Sequence, residues 1–337
     1  LLQRQLFPKF NPSPFNQSNS HMKSFKSFLA LCLVAAALAP SATHASHNMG
    51  PELTYKQTGT NTFKATLTVY RACGGSSPAS SYVLSKGACG GNVTVSRVSI
   101  TDVTPICPTA QSKCSNGSAT YGWESHVYEG TFTLSTSCSS TVLSFSDCCR
   151  ESGIGNLSNS GTQNLWVSTL VTNLTGNGGS HWSNPPMFTA TVNKPASFNA
   201  GGIDPDGDQL VYSLTSCKTG ATSNVTYASG YSGTNPLSTS GGMSINSATG
   251  QITFTPNAVM SGVVCVKAEE YRGGVKIGEI TRDIVVNVIS GSNSQPTVGS
   301  VNGGGSYAAT VTAGSNLTFT STGGDPNGQG VTLSWNS

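Results

Sequence analysis

Charge is what this sequence has least of: Asp, Glu, Lys and Arg make up only 9% of its 337 residues. The 17 basic and 14 acidic side chains are scattered, for a formal net charge of +3. No Lys/Arg cluster could track a phosphate backbone, so nucleic acid is not an expected partner. Motifs of hydrolytic or nucleotide chemistry are missing too. There is no Gly-x-Ser-x-Gly elbow, no His-Glu-x-x-His helix and no phosphate loop. A glycosidase needs two carboxylates facing each other across a cleft, an arrangement that sequence alone neither shows nor excludes. The expectation is a non-catalytic protein. Convincing helical periodicity with caps is also absent, and past the N-terminal region no apolar run is long enough to cross a bilayer.

What fills the chain is glycine (39 residues), Ser, Thr and Asn, with a hydrophobic share of 36%. That share is too high, at this low charge, for a disordered chain. It suits short strands joined by Gly- and Ser-rich turns. Near the N-terminus, Met22 opens a secretory leader, with Lys23 and Lys26 ahead of the apolar stretch Phe28 to Leu38. The small-residue site Thr43-His44-Ala45 follows. The expectation is cleavage after Ala45 and export of the mature chain, with residues 1–21 an upstream unstructured segment and 22–45 the signal peptide.

Period-two alternation marks strands. In Thr62 to Tyr70, residues 63, 65, 67 and 69 are apolar and the intervening ones polar. Weaker versions recur at Asn92 to Ile100, His126 to Leu134, Thr141 to Cys149 and Leu165 to Leu174. Asn184-Pro185-Pro186 interrupts the pattern, because paired prolines cannot occupy a central strand. A Cys-rich N-terminal domain is therefore expected over 46–184 and a second domain over 185–290, followed by a linker and the start of a third over 291–337. A repeat supports this division. Asp204-Pro205-Asp206-Gly207-Asp208 and Leu210 to Leu214 recur as Asp325-Pro326-Asn327-Gly328-Gln329 and Val331 to Trp335, an offset of 325 − 204 = 121 residues. A repeat of that length is a tandem domain. The fold expected is all-β: two complete antiparallel β-sandwiches and a truncated third, arranged like beads, from a natural protein longer than this chain.

Two sets of residues carry candidate chemistry. Asp204, Asp206 and Asp208 alternate around a Gly turn and could direct oxygens at one hard cation such as Ca²⁺. The spacing is not that of an EF-hand, and a polar turn capped by its own Asp side chains is the competing reading. Glu269 or Glu270 could add an oxygen, and Glu270 is carried forward as the candidate. The second set is cysteine. With Cys32 lost in the leader, nine remain, and in an exported chain they read as disulfides before zinc ligands. Cys217 and Cys265, the only pair in the second domain, should bond each other. The first domain holds seven, so one is left over. Cys107 and Cys114 close a short loop and are expected to pair. Parity from Leu143 and Phe145 puts Cys149 on the apolar face and Cys148 on the other. Cys138 then meets one of them, and Cys73 or Cys89 the other. Trp123, Trp166 and Trp182 could stack on sugars if exposed, but aromatics of such domains more often fill cores.

Several ordered blocks resemble a known family. Ser46-His47-Asn48-Met49-Gly50 with Glu52-Leu53-Thr54-Tyr55 is similar to the mature start of large surface proteins of gliding bacteria. Thr66 to Cys73 resembles that family's strand ending in Tyr-Arg-Asp-Cys, with Ala72 in place of the Asp. Val103 to Pro108, Val127 to Gly130, Asp147-Cys148-Cys149-Arg150, Glu270-Tyr271-Arg272, Ile277-Gly278 and Thr281-Arg282-Asp283-Ile284 continue the likeness in order. The Asp-rich loop and Gly250 to Pro256 resemble cadherin-like or PKD-like domains. The resemblance implies immunoglobulin-like sandwiches, Ca²⁺ in the Asp loop, and a gliding-motility-associated or PKD-domain-containing surface protein exported by the type nine secretion machinery. Its implied role is structural or adhesive at the outer cell surface, with extracellular matrix or cell-surface partners, glycans among them. The alternative is a carbohydrate-binding module of a polysaccharide-degrading system.

Overall fold

The computed structural model describes residues 49–104, 110–119, 121–294, 296–303, 311, 314–331 and 333. The expected leader and upstream segment, and Cys107, lie outside these residues. Residues 45–337 form one compact unit. Among the described residues the regular structure is β, with short 3₁₀ turns and no α-helix, and no helix is long and apolar enough to cross a membrane.

The first half contributes β1 (Glu52–Gly59), β2 (Thr62–Ala72), β3 (Ser81–Ser85), β4 (Asn92–Asp102), β5 (Trp123–Thr133), β6 (Ser140–Asp147) and β7 (Leu165–Thr172). The second contributes β8 (His181–Trp182), β9 (Met187–Thr191), β10 (Ala196–Asn199), β11 (Gly202–Ile203), β12 (Gln209–Thr215), β13 (Thr239–Ile245), β14 (Gln251–Pro256), β15 (Met260–Arg272) and β16 (Val275–Ile289). Alternation in β2 works as the sequence implies: Phe63, Ala65, Leu67 and Val69 are fully buried. They join Leu53, Leu84, Val95, Tyr128, Leu143, Phe145 and Val167 in one core. A second core gathers Trp182, Tyr212, Ile252, Phe254, Val264, Val266, Ile280 and Ile284.

The two cores do not belong to separate beads. One sheet runs β1-β2-β5-β4-β3-β6-β7-β16-β15-β12, crossing from the first half to the second where Glu279 and Ile280 of β16 pair with Leu170 and Thr169 of β7. Long β16 also takes β9 as a parallel neighbour, Met187 to Thr191 against Val285 to Ile289. A third apolar layer fills the seam with residues of both halves, including Met49, Tyr70, Ile154, Met187, Val263 and Val285. Pro185 and Pro186 lie in the connection between β8 and β9.

Buried ions lock the seam. Arg282 of β16 is wholly inaccessible. It donates to the Glu52 carboxylate of β1, to the Asn184 carbonyl and, at 3.1 Å, to the Ala200 carbonyl, and it lies 5.5 Å from the Trp182 ring centroid. One residue on, Asp283 accepts from Arg150, whose other amino group donates to the Lys218 carbonyl at 2.9 Å. Burial pushes the Glu52 carboxyl up against the pull of Arg282. Removing one member of such a pair leaves an uncompensated buried charge.

The disulfides differ from the sequence expectation in the first half. Cys114 bonds Cys73, not Cys107. Residues around 113 fold back on the start of β5, with Lys113 N donating to Tyr121 O and Cys73 N to Gly122 O, both at 2.8 Å. That places Cys114 beside the end of β2, at a Cα separation of 5.1 Å. Cys138 bonds Cys89, and Cys148 bonds its neighbour Cys149. The parity argument failed because β6 stops at Asp147, so neither Cys148 nor Cys149 is a strand residue. Cys217 and Cys265 bond each other across a Cα separation of 5.2 Å.

Two outcomes follow. Peptide mapping without reduction should recover Cys73–Cys114 and Cys89–Cys138 cross-links; a Cys107–Cys114 peptide would overturn the pairing. In urea unfolding, Arg282→Met should cost roughly 3–5 kcal/mol, and the double change with Glu52→Gln much less, because the second substitution removes the stranded carboxylate.

Candidate functional site

The β12–β15 register builds the site. Leu210 stands opposite Glu270 and Gln209 opposite Tyr271, so the turn 204–208 lies against the end of β15. Within the turn, Asp204 Oδ1 accepts from the backbone N–H groups of Asp206 and Asp208, both at 2.9 Å. Gly207 takes φ +81°, the left-handed conformation that lets the chain reverse there. Part of the polar-turn reading is therefore correct, and it uses only one oxygen of Asp204.

The other oxygens converge. Asp204, Asp208 and Glu270 bring one carboxylate oxygen each within 4.8 Å of one another. Asp204 Oδ2 and Glu270 Oε1 are buried and have no hydrogen-bond partner, and the Glu270 residue is only 1% exposed. Its other oxygen accepts from Ser180 N at 3.3 Å. Parity within β15 separates the two sequence candidates: Glu270 points inward, whereas Glu269 is paired with Lys267 and Lys276 at the surface. Gly278 of β16 lies opposite Glu270, and a methyl group there would come within 2.5 Å of Glu270 Oε2. A bare backbone on the neighbouring strand is what gives the carboxylate its place.

Asp206 does not join the three. It turns to the loop after β7, where its Oδ2 accepts from Gly178 N. Asp208 gives both oxygens to Arg272, at 2.8 and 2.5 Å. A carboxylate oxygen has a second lone pair, so the guanidinium does not exhaust it. The 176–180 loop belongs to the first half. Its Asn177, fully buried, donates to Tyr55 Oη and Thr172 Oγ1, both at 3.2 Å. Arg272 also donates to Gly176 O at 3.2 Å. The carboxylates therefore sit where a first-half loop meets a second-half turn.

Burial and the neighbouring Asp204 and Asp208 carboxylates push Glu270 up to about 7. Three acidic groups in a low-dielectric recess repel one another, and two of their oxygens lack donors. This arrangement suits a hard cation that takes oxygen ligands. The repeat reproduces the turn but not the recess. Asp325 Oδ1 accepts from Asn327 N at 2.7 Å and Gln329 N at 3.2 Å, and Gly323–Gly324 pairs with Thr297–Val298 as β11 pairs with β8. Asn327 and Gln329 carry no charge, and no glutamate among the described residues joins them.

No protein-family model matches the chain, and no curated protein does.

Other candidates resolve differently. Trp166 and Trp182 are buried, and Trp123 packs against the seam layer, so they form no exposed platform. His126 Nε2 meets Glu124 Oε2 at 3.0 Å, and Arg71 donates to the same oxygen at 2.9 Å. Burial opposes it, yet these hydrogen bonds hold Glu124 below the ordinary carboxylate range.

The raised Glu270 carboxyl sets a pH dependence in metal-free protein. Below its ordinary value of 4.5 both folded and unfolded chains hold the proton. Between that value and about 7 the unfolded chain sheds it first, so the fold loses stability as pH rises, by about 3 kcal/mol. Urea unfolding in chelator at pH 5 and pH 8 should show this loss in the parent and a smaller one in Glu270→Gln. Equal losses in the two would remove Glu270 as the cause.

Proposed function

We propose that the chain is a secreted, non-catalytic structural or adhesive module of a cell surface, of the gliding-motility-associated and PKD-containing kind, stiffened by Ca²⁺ at the seam between its two cores. The observation that carries this reading is the recess of Asp204, Asp208 and Glu270, with two buried oxygens that lack donors. Ca²⁺ takes six to eight oxygens, and carboxylates are its usual charged ligands. Bound there, the ion would relieve the repulsion and tie the loop 176–180 to the turn 204–208. A tie that exists only in the ordered state stabilises that state by mass action. Three disulfides besides the vicinal pair, and buried ion pairs across the seam, support a module selected for rigidity. Export is supported by the leader-like segment 22–45 and by that cysteine usage.

Thermal unfolding with and without millimolar Ca²⁺ tests the reading. At a hundredfold excess over Kd the parent should gain about 2.7 kcal/mol, seen as a midpoint rise of roughly 5–10 °C for a unit of this size. Glu270→Gln and Asp204→Asn should lose most of that rise. A parent whose midpoint ignores Ca²⁺ would sink the stiffening role.

A further inference from the structure

Lys56 of β1 and Lys64 of β2 stand directly opposite each other in the antiparallel ladder. Like charges across such a pair are destabilising, and this sequence has few cations to place anywhere. Lys64 is compensated by Glu129 on β5, 2.8 Å away. Lys56 is exposed and has no ion pair or hydrogen bond among the described residues. Parity puts Thr54 and Thr66, also opposite each other, on the same outward face as the two lysines. Neither threonine hydroxyl is engaged elsewhere in the described structure.

This face is walled. The loop 176–179 and the Pro205–Asp206 corner rise beside it and leave a groove of 550 Å³, with His181 at its edge. The size falls within the ~300–1,000 Å³ of ligand clefts. Its strand side carries the Lys56 and Lys64 ammonium groups and the Thr54 and Thr66 hydroxyls. Its facing wall carries glycine backbone, Asn177, His181, Pro205 and Asp206, whose carboxylate is engaged by Gly178 N. A sugar would find partners for hydroxyls and, at Lys56, a counter-charge for a carboxylate.

We propose that this groove binds an acidic saccharide, a uronate-bearing stretch of polysaccharide, with a carboxylate on Lys56 and ring hydroxyls on Thr54 and Thr66. The proposal rests on the adhesive reading of this surface and supplies the ligand class that reading leaves open. Asn177, Gly178 and Asp206 line the groove and also belong to the loop-and-turn contact at the seam, so a cation there would fix one wall.

Isothermal titration of the full chain with a hyaluronan hexasaccharide, in Ca²⁺ at low salt, tests it. Saturable binding is expected, weakened at least tenfold in Lys56→Gln and unchanged in Lys194→Gln, a lysine far along the chain. Unfolding midpoints of both variants check that the fold is intact. Equal binding of an uncharged chitin hexasaccharide would overturn the acidic class, and equal binding of hexaglutamate would overturn the saccharide. Parent-like binding by Lys56→Gln, or no binding of hyaluronan at millimolar concentration, would overturn the site. Repeating the titration in chelator separates the two ideas. Binding that persists while the midpoint ignores Ca²⁺ would leave the groove standing without the seam ion, and a Ca²⁺-responsive midpoint with no binding would do the reverse.

Discussion

One guanidinium without access to water ties segments of both halves together at the seam. Arg282 reaches β1 through Glu52, the β8–β9 connection through Asn184, and the approach to β11 through Ala200. These segments come from both halves; the latter two also bond each other directly, Ser183 N donating to Gly201 O at 2.8 Å, and Arg282 joins β1 to them. A desolvated ion pair is rarely a net gain over apolar packing, but it tolerates few alternatives. Misplacing β1 by one residue would take Glu52 away and leave the arginine without its counter-charge inside the protein. The clamp thus fixes register at the seam, where apolar surfaces alone would slide.

The carboxylate recess inherits that register. β16 is held by Arg282 and pairs with β15 along its whole length, and the pairing puts Gly278 beneath Glu270. β15 in turn positions β12, and β12 begins where the Asp-rich turn ends. Each step is a strand ladder, so the oxygens of Asp204, Asp208 and Glu270 are set by backbone geometry rather than by flexible side chains. Only the loop 176–180 approaches from the other half, and its buried Asn177 is anchored to Tyr55 and Thr172.

Much of this was legible in the sequence, and the misses have physical causes. Strict alternation from Phe63 to Val69 is a local signal, and β2 follows it. β1 was not singled out, because its outward positions mix Thr and Lys with a run of Gln-Thr-Gly. The Asp loop was visible as a motif, but which of its carboxylates turn inward depends on the loop from the first half, which captures Asp206. Glu270 over Glu269 follows from strand parity and could have been read. The cysteine pairing of the first half could not, since it depends on where the 110–119 segment folds back and on β6 ending two residues early. Arg150, Arg282 and Asp283 were on the page within the ordered blocks Asp147 to Arg150 and Thr281 to Ile284. In a chain so poor in charge, charges embedded in apolar strands were themselves a sign of burial.

Gly50 lies so close to Asp283 that even one added methyl group would collide with its carbonyl. The first described residues thus meet β16 at Asp283, and β16 ends at Ile289, six residues further along the same strand. Tension applied between Gly50 and Ile289 would therefore act across about 20 Å measured along one strand, loading β1 at one end and β16 at the other. That short stretch is flanked by β9 on one side and β15 on the other, both bonded to it along its axis. Pulling would strain those hydrogen bonds together, in shear, instead of parting them one after another.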